Sequence, residues 1–449
     1  MNTIILEIKD YKIIIKGINL RAAVIGLGVE GKKAFESLLR NNWDVYASDL
    51  STKLNLENMN LPVADINLLS KEKRLSFIIE NAMIDLGFTN PEEIDNCDAV
   101  AISPSMFGTE LANKYQKQGK LLCDVLTKHR EIFTIGITGT NGKTTTVTMI
   151  HKILEKAGYN VLIGGNGGGG FEGYYDLILE AEKGDYDVML IEVCDMTLDF
   201  CNYCFDFDIV GLTNIGNDHM NVHKSIENYK NTVKNFFKGK EVFISKYQDF
   251  EDELESSARE TNYFKETEYP LQLFGNFNKL DAGLASAISK KLGIDEPIIK
   301  DTLENFQPVE GRLKVLHLND CDIFIGKSDN SSAIHSILEE KDFHAIFIGT
   351  PRVNEEDRLD ILNEVVNHNP EVIVLFPGLE DTIDYAKMRL QSLNYNGRIE
   401  IANNLDEIVA FVAEFSFEDA IFIGGNGQDA IIQIQIRLEE IIESINKSF

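Results

Sequence analysis

No apolar run in these 449 residues approaches the ~20 residues that a membrane-spanning helix needs, so no membrane insertion is expected. Basic residues are scarce relative to acidic ones: 43 Lys and Arg stand against 72 Asp and Glu, a formal net charge of −29. That balance argues against nucleic acid as a partner, because phosphate backbones call for basic faces. Small anionic substrates stay open, since a few Lys, Arg or helix N-termini can focus a positive field locally. There are six cysteines, with one C-x-x-C at Cys201 and Cys204 and no second pair at similar spacing. A structural zinc would want that second pair, so reduced thiols in an intracellular protein are the expectation. Low-complexity linkers are missing as well, which makes the hinges short; the clearest is "PVEGR", Pro308 to Arg312.

What is there reads as globular. Hydrophobic residues make up 44% and charged residues 26% of the chain, enough for real cores in about two to four domains. The opening "MNTIILEIKDYKIIIKG" alternates apolar and polar residues with acids among them, predicting a β-hairpin and not a signal peptide, hence a cytoplasmic protein. Strands and helices alternate nearly throughout, which predicts an α/β fold with mostly parallel sheets.

Three glycine-containing strand-to-helix turns recur, at "AVIGLGVEG", "GITGTNGKT" and "FIGGNGQ". In the first, Gly26, Gly28 and Gly31 form G-x-G-x-x-G and Asp49 ends the next strand about 20 residues on, as in a dinucleotide-type fold. Its ligand is a dinucleotide such as NAD, a nucleotide-diphosphate conjugate, or nothing, the turn then serving only as a tight link between strand and helix. The second turn lies between a β-rich run, Glu131 to Ile137, and a segment of helical spacing that ends at Gly158. Such a turn presents backbone N–H groups at the positive end of a helix and can cradle phosphates, Lys143 reaching the terminal ones and Thr144 ligating Mg²⁺. The general pattern G-x-x-x-x-G-K-[ST] fails only at its first glycine, where Ile137 stands. Farther on, Glu192 ends the strand of "YDVMLIEV" and Asp218-His219 follow the next strand. Strand ends on that side of a parallel sheet form the ligand crevice, and Mg²⁺ typically bridges one or two carboxylates to phosphate. The glycines of "GGNGGGGF", Gly164 to Phe171, fit a flexible substrate loop, and those of "IFIGGNGQ", Gly424 to Gly427, either hold a carboxylate or make a tight turn.

At this point the sequence resembles the Mur ligases, ATP-dependent amino-acid ligases of cell-wall peptide assembly and relatives of folylpolyglutamate synthase. The resemblance rests on "TGTNGKTT", the strand-end Glu192, "NIGNDHMNVH", "FGNFNKLDAGLASAIS" and "GIDEPIIKDTLENFQPVEGRLKV", in that order, and is clear over Glu131 to Val315. It implies three domains: a Rossmann-like domain at 1–130 for a UDP-linked substrate, a central P-loop ATPase domain at 131–312, and a Rossmann-like amino-acid-binding domain at 313–449. Carried across, Gly139, Thr140, Asn141, Gly142, Lys143, Thr144 and Thr145 hold ATP phosphates, with Asn278 near the adenine and Arg312 reaching ATP from the hinge. Lys143, Glu192 and His219 are the implied catalytic residues, and Thr144, Glu192 and His219 the implied magnesium ligands. Gly26, Gly28, Gly31 and Asp49 would grip the UDP moiety, as in the D-glutamate-adding branch. ATP and Mg²⁺, a UDP-linked peptide and a free amino acid are the implied partners, with a monomer or weak oligomer as the assembly.

Departures from the family pattern matter. The lysine that the family modifies to a carbamate falls on Val233, with Lys234 immediately after it, and one residue rotates a helical side chain by ~100°. Asp281 stands where an asparagine is often seen, and "GKSDNSSAIH" replaces the usual third-domain signature, offering Lys327, Asp329 and Asn330 as ligands. These features and the acidic, Asn- and Ile-rich composition favour the pseudomurein peptide ligases of methanogens over bacterial enzymes. An accessory ligase-like subunit that binds ATP is the rival reading. A phosphate-loop kinase and a dehydrogenase fit less, the first for its loop and hinge, the second because the phosphate loop would go unused.

Overall fold

The computed structural model describes residues 4–8, 11–15, 19–52, 75–79, 81–246, 254–255, 257–353, 355–417 and 420–447. The chain divides into two compact units, residues 1–136 with 159–208, and residues 137–158 with 209–449.

The first unit opens with the expected antiparallel hairpin of β1 (Ile4–Ile8) and β2 (Tyr11–Ile15), registered Ile4 to Ile15. Then come β3 (Arg21–Ile25), β4 (Asp44–Asp49), β5 (Leu75–Ile79), β6 (Ala82–Leu86) and β7 (Ala99–Ile102), a sheet in the order β5-β6-β4-β3-β7. Every ladder of this sheet but β5–β6 is parallel. The sequences "RAAVI" and "AVAI" of β3 and β7 are continuous apolar runs because a parallel strand is covered on both faces. The β5–β6 ribbon was not anticipated from sequence.

Strand β8 (Phe133–Thr138) straddles the division between the units. On the first unit's side the order is β8-β10-β9, with β9 (Val161–Gly165) parallel to β10 (Val188–Glu192) and Glu192 opposite Gly165. On the second unit's side it is β13-β12-β11-β8, with β11 (Ile209–Leu212), β12 (Glu241–Ser245) and β13 (Glu260–Phe264) all parallel.

The second unit also carries β14 (Lys314–Leu318), β15 (Cys321–Ile325), β16 (Ala345–Gly349), β17 (Val372–Phe376), β18 (Arg398–Ile401) and β19 (Ala420–Gly425), ordered β14-β15-β19-β16-β17-β18. Only β14 runs antiparallel to its neighbour. Alternate residues of β16 feed opposite cores: Phe347 packs with Ile323, Val374 and Ile431, whereas Ile346 and Ile348 pack with Ile334, Ile361 and Phe422. Apolar cores on both faces make this a doubly wound sheet, and with the other two the chain is an α/β protein of three mostly parallel sheets.

Candidate active site

The Gly139–Thr145 segment folds as the strand-to-helix turn that its sequence predicts. β8 ends at Thr138, and a helix, Lys143–Lys156, begins directly after Gly142, which sits in the left-handed region at φ 83°. Glycine is required there twice over: a Cβ would be strained at that φ and would lie 2.1 Å from Asp281 Oδ1. The helix buries Val147, Ile150, Ile153 and Leu154, so tertiary packing fixes the direction in which its N-terminal N–H groups point. The loop is braced by Asn214, whose backbone carbonyl accepts from Thr140 N at 3.0 Å and whose Oδ1 accepts from Asn141 N at 3.0 Å. Lys143 folds back, donating to the carbonyls of Gly139 at 2.7 Å and Thr140 at 2.8 Å.

Two groups from the C-terminal part of the same unit reach this loop, and a third, Arg358, reaches the Asp218–His219 segment. Arg312 Nη2 donates to Thr144 Oγ1 at 2.5 Å. The hinge behind Arg312 is pinned by the buried Gln435, which accepts from Gly311 N at 2.9 Å and donates to Arg312 O at 2.9 Å. Asn330 caps the helix Ser331–Leu338 by accepting from Ala333 N and pairs amide to amide with Asn141. Arg358 donates to His219 Nε2 at 2.9 Å and to Asp329 Oδ2 at 2.6 Å, and lies 3.5 Å from Asp218 Oδ1.

Arg358 was missed in the sequence because "NEEDRLD" reads as a solvated charge run. Its partners come from separate segments, and its side chain is only 12% exposed. Burial works to lower the guanidinium's pKa, but Asp329, Asp218 and Glu355 outweigh it and hold it above its usual value. Conversely, burial alone would raise the Asp329 carboxyl; Lys327 and Arg358 overcome that and keep it well below the usual carboxylate range. Asp281 has no such cation and burial pushes it up to about 7, against the pull of the Thr146 hydroxyl.

In the first unit the Gly26–Gly31 turn joins β3 to a helix, Val29–Arg40. A Cβ on Gly31 would lie 1.7 Å from Gly26 O, whereas one on Gly28 would meet nothing within 4 Å, so Gly28 is the open face of the turn. Asp49 turns inward: its two oxygens accept from Leu27 N at 2.6 Å and Ser51 N at 2.7 Å, bracing the turn itself. Glu192 is 1% exposed and its Oε1 accepts from Asn166 Nδ2 at 2.9 Å. The glycine stretch after Asn166 is not an open loop but a 3₁₀ turn, Gly167–Gly169.

Other expectations resolve differently. The Gly424–Gly427 turn has two of its amides in use, Gly425 N on Ser328 Oγ at 3.1 Å and Asn426 N on Gly349 O at 2.9 Å, which favours the tight-turn reading. Asn278 donates to Phe274 O at 2.7 Å, closing its own turn. Val233 is fully buried because Tyr229, Val233, Phe236 and Phe237 form the apolar stripe of the helix Ile226–Phe237; Lys234 lies one step off that stripe. Cys201 and Cys204 are buried thiols, with Cys204 Sγ 3.0 Å from Cys123 Sγ. Among the described residues no three or more His, Cys, Asp or Glu side chains gather as a metal-binding set, and no helix is long and apolar enough to cross a membrane.

Residues 137–269 match the Mur ligase middle domain. The UDP-N-acetylmuramoylalanine–D-glutamate ligase of Fervidobacterium nodosum is 25% identical over 461 residues, covering 95% of this chain and 99% of that one. Among solved structures, a pseudomurein peptide ligase type C from Methanothermus fervidus is similar with a TM-score of 0.55 at 19% identity, over 95% of this chain and 100% of that one. Mycobacterium tuberculosis folylpolyglutamate synthase, complexed with ADP and AMPPCP, is similar with a TM-score of 0.59 at 14% identity, over 71% of this chain and 94% of that one. The middle of the chain, residues 137–269, thus matches the Mur ligase middle domain, and over most of its length the chain is similar to Mur ligases in sequence and in fold.

Proposed function

We propose that the chain is an ATP-dependent, ADP-forming ligase that adds one amino acid to a UDP-linked peptide precursor of pseudomurein or peptidoglycan. The observation that carries this is that Arg312 and Asn330, from the C-terminal part of the chain, both bond to the Gly139–Thr145 loop, at Thr144 and Asn141. In this reading residues 1–130 hold the UDP end, 131–312 the ATP and 313–449 the amino acid.

The reaction has two steps. A carboxylate oxygen of the peptide attacks the γ-phosphorus, the bond to the β-phosphate oxygen breaks, and ADP leaves an acyl phosphate. The neutral amine of the amino acid then attacks the acyl carbon, inorganic phosphate departs and the nitrogen loses a proton. Lys143, released from the Gly139 and Thr140 carbonyls, spreads the charge of the transferring group, and Arg312 joins it from the hinge. No protein nucleophile is needed. Because acyl phosphates hydrolyse, contacts such as Asn141–Asn330 serve to exclude water from the loop.

Magnesium fits the oxygen donors at hand. Thr144 Oγ1 in the loop suits a hard cation that retains waters and leans on substrate phosphate, so a dense set of protein ligands is not required, and Glu192 is the carboxylate that the family resemblance adds. His219 is a weaker candidate, since Arg358 takes its Nε2. When bound, the ion would neutralise charge on the β- and γ-phosphates.

The test is ADP release with Mg²⁺ and either UDP-glutamyl or UDP-muramoyl peptides, against each amino acid singly, with product mass read in parallel. Amino-acid-dependent ADP with the matching mass gain is expected, and the pool that works names the pathway. Silence in both pools despite ATP binding would favour the second reading, an accessory ATP-binding subunit, whose support is the buried Val233 at the family's modified lysine.

A further inference from the structure

Glu30 sits inside the glycine turn, in "GLGVEG", yet its carboxylate leaves the turn. Its Oε1 accepts from Gly167 N at 2.6 Å, and its Oε2 is buried beside Gly173. Burial pushes the acid up to about 7, against the pull of the Gly167 and Tyr174 amides and of Lys33. A carboxyl held this way is costly, and a helix start needs only a Ser or Asp cap. The cost therefore asks for a reason at the other end of the contact.

That other end is a run of four glycines, turned by its own bonds from Gly169 N to Asn166 O and from Gly170 N to Gly167 O. Glycine loses the most backbone freedom on ordering, so contacts from outside add to what fixes Gly167–Gly170. Two come from acidic residues. Glu30 takes the amide of Gly167, and Glu192 takes the side-chain and backbone N–H groups of Asn166, at 2.9 Å and 3.0 Å. Gly169 packs so closely on Glu192 that a Cβ would lie 2.1 Å from Oε1. The base of the Glu30 clamp is rigid, because the helix Val29–Arg40 is tied to the segment beyond the turn by Ser37–Asp176 at 2.6 Å and Arg40–Asp176 and Arg40–Glu172 at 3.0 Å. Adjacent residues of one soft turn thus link the glycine motif to the strand-end carboxylate.

We infer that Glu30 is a positioning residue, which fixes the Asn166–Gly170 turn and through it the orientation of Glu192, coupling the Gly26–Gly31 turn to the cation site. The inference rests on the reading above that Glu192 holds magnesium. Reach, and not charge, is what the contact requires: a side chain must extend as far as Glu30 and accept one hydrogen bond.

The experiment uses the full chain with ATP and Mn²⁺ as a paramagnetic stand-in for Mg²⁺, titrated by electron paramagnetic resonance. Glu30→Gln keeps the acceptor at full length; Glu30→Asp keeps the charge and shortens the reach. Manganese affinity is expected to fall about tenfold in Glu30→Asp and to stay within about twofold of the parent in Glu30→Gln. Hydrogen exchange in a peptide over 161–173 should quicken in Glu30→Asp alone. Unchanged affinity in Glu30→Asp, whatever its melting temperature, would leave Glu30 a packing residue and overturn the inference; so would equal loss in both variants. Glu192→Gln is the control for the underlying reading. If it leaves manganese affinity intact while the Glu30→Asp exchange still quickens, the metal assignment fails and the coupling to it falls, but the Glu30 clamp itself stands.

Discussion

Asn141 and Asn330 exchange both of their amide hydrogen bonds, Asn330 Nδ2 to Asn141 Oδ1 at 2.8 Å and Asn141 Nδ2 to Asn330 Oδ1 at 3.2 Å. One residue lies in the Gly139–Thr145 loop and the other caps the helix Ser331–Leu338, so a single pair ties the loop proposed to hold ATP to the part proposed to bring the amino acid. Asn330→Ala loses both the cap and the pair and should destabilise by roughly 1–2 kcal/mol in urea titrations. Asn141→Ala loses only the pair and should cost about 1 kcal/mol or less. Equal costs would mean that the cap contributes nothing.

Lys143→Ala should reduce amino-acid-dependent ADP release by about 10²-fold or more, because the ammonium acts where charge develops during transfer. Binding of the UDP conjugate, read by calorimetry, should persist, since the glycine turn proposed for it lies in the other unit. Retained ADP release would sink the phosphate-loop assignment.

Much of the site's frame was readable in the sequence, because the Gly26–Gly31 and Gly139–Thr145 turns each declare themselves within nine residues of strand, turn and helix. The Glu192 strand end and the parallel character of the sheets were readable for the same local reason. What escaped depends on long-range convergence. Arg358 matters only because Asp218, His219 and Asp329 meet it, and no local pattern encodes that meeting. Asp49 looked like a ligand-binding acid because spacing cannot tell a carboxylate that faces a ligand from one that braces its own turn. Val233 was visible as a misplaced residue, but its place in an apolar stripe followed from the 229, 233, 236, 237 spacing.

Asp281 makes stability depend on pH. Burial raises its folded-state pKa to about 7 from an ordinary carboxylate value, so between about pH 4 and 7 the folded chain binds a proton that the unfolded chain has lost. Its contribution is therefore most favourable below that window and declines as pH rises through it. Asp281→Asn removes the term and should raise the thermal midpoint at pH 8 more than at pH 5, by an amount on the order of 2 kcal/mol. Glu30, also raised to about 7, acts in the same direction and stays in the variant, so a shallower slope and not a flat one is expected. An unchanged slope in Asp281→Asn would place the carboxyl's titration outside the window.

Arg358 is the group whose loss should be felt most. Its guanidinium is 12% exposed and faces Asp329, Asp218 and Glu355, whose side chains are 13%, 9% and 17% exposed. Removing the cation leaves three largely desolvated carboxylates, with Lys327 still 3.2 Å from Asp329 and Arg352 still 3.0 Å from Glu355. Breaking a buried pair from one side typically costs about 3–5 kcal/mol, more than the pair's own net worth, because the orphaned charge cannot recover its water. Arg358→Met, similar in length and uncharged, should lower the unfolding free energy by that much, read as a lower urea midpoint with no change in the denaturant slope. The double variant Arg358→Met, Asp329→Asn removes one orphan and should recover part of the loss, as coupled neighbours do. If Arg358→Met unfolds at the parent's midpoint, the cluster is open to water and His219 Nε2 is available to a cation. If the loss appears and the double variant recovers, Arg358 stands as the counter-charge around which the His219 side of the site is built.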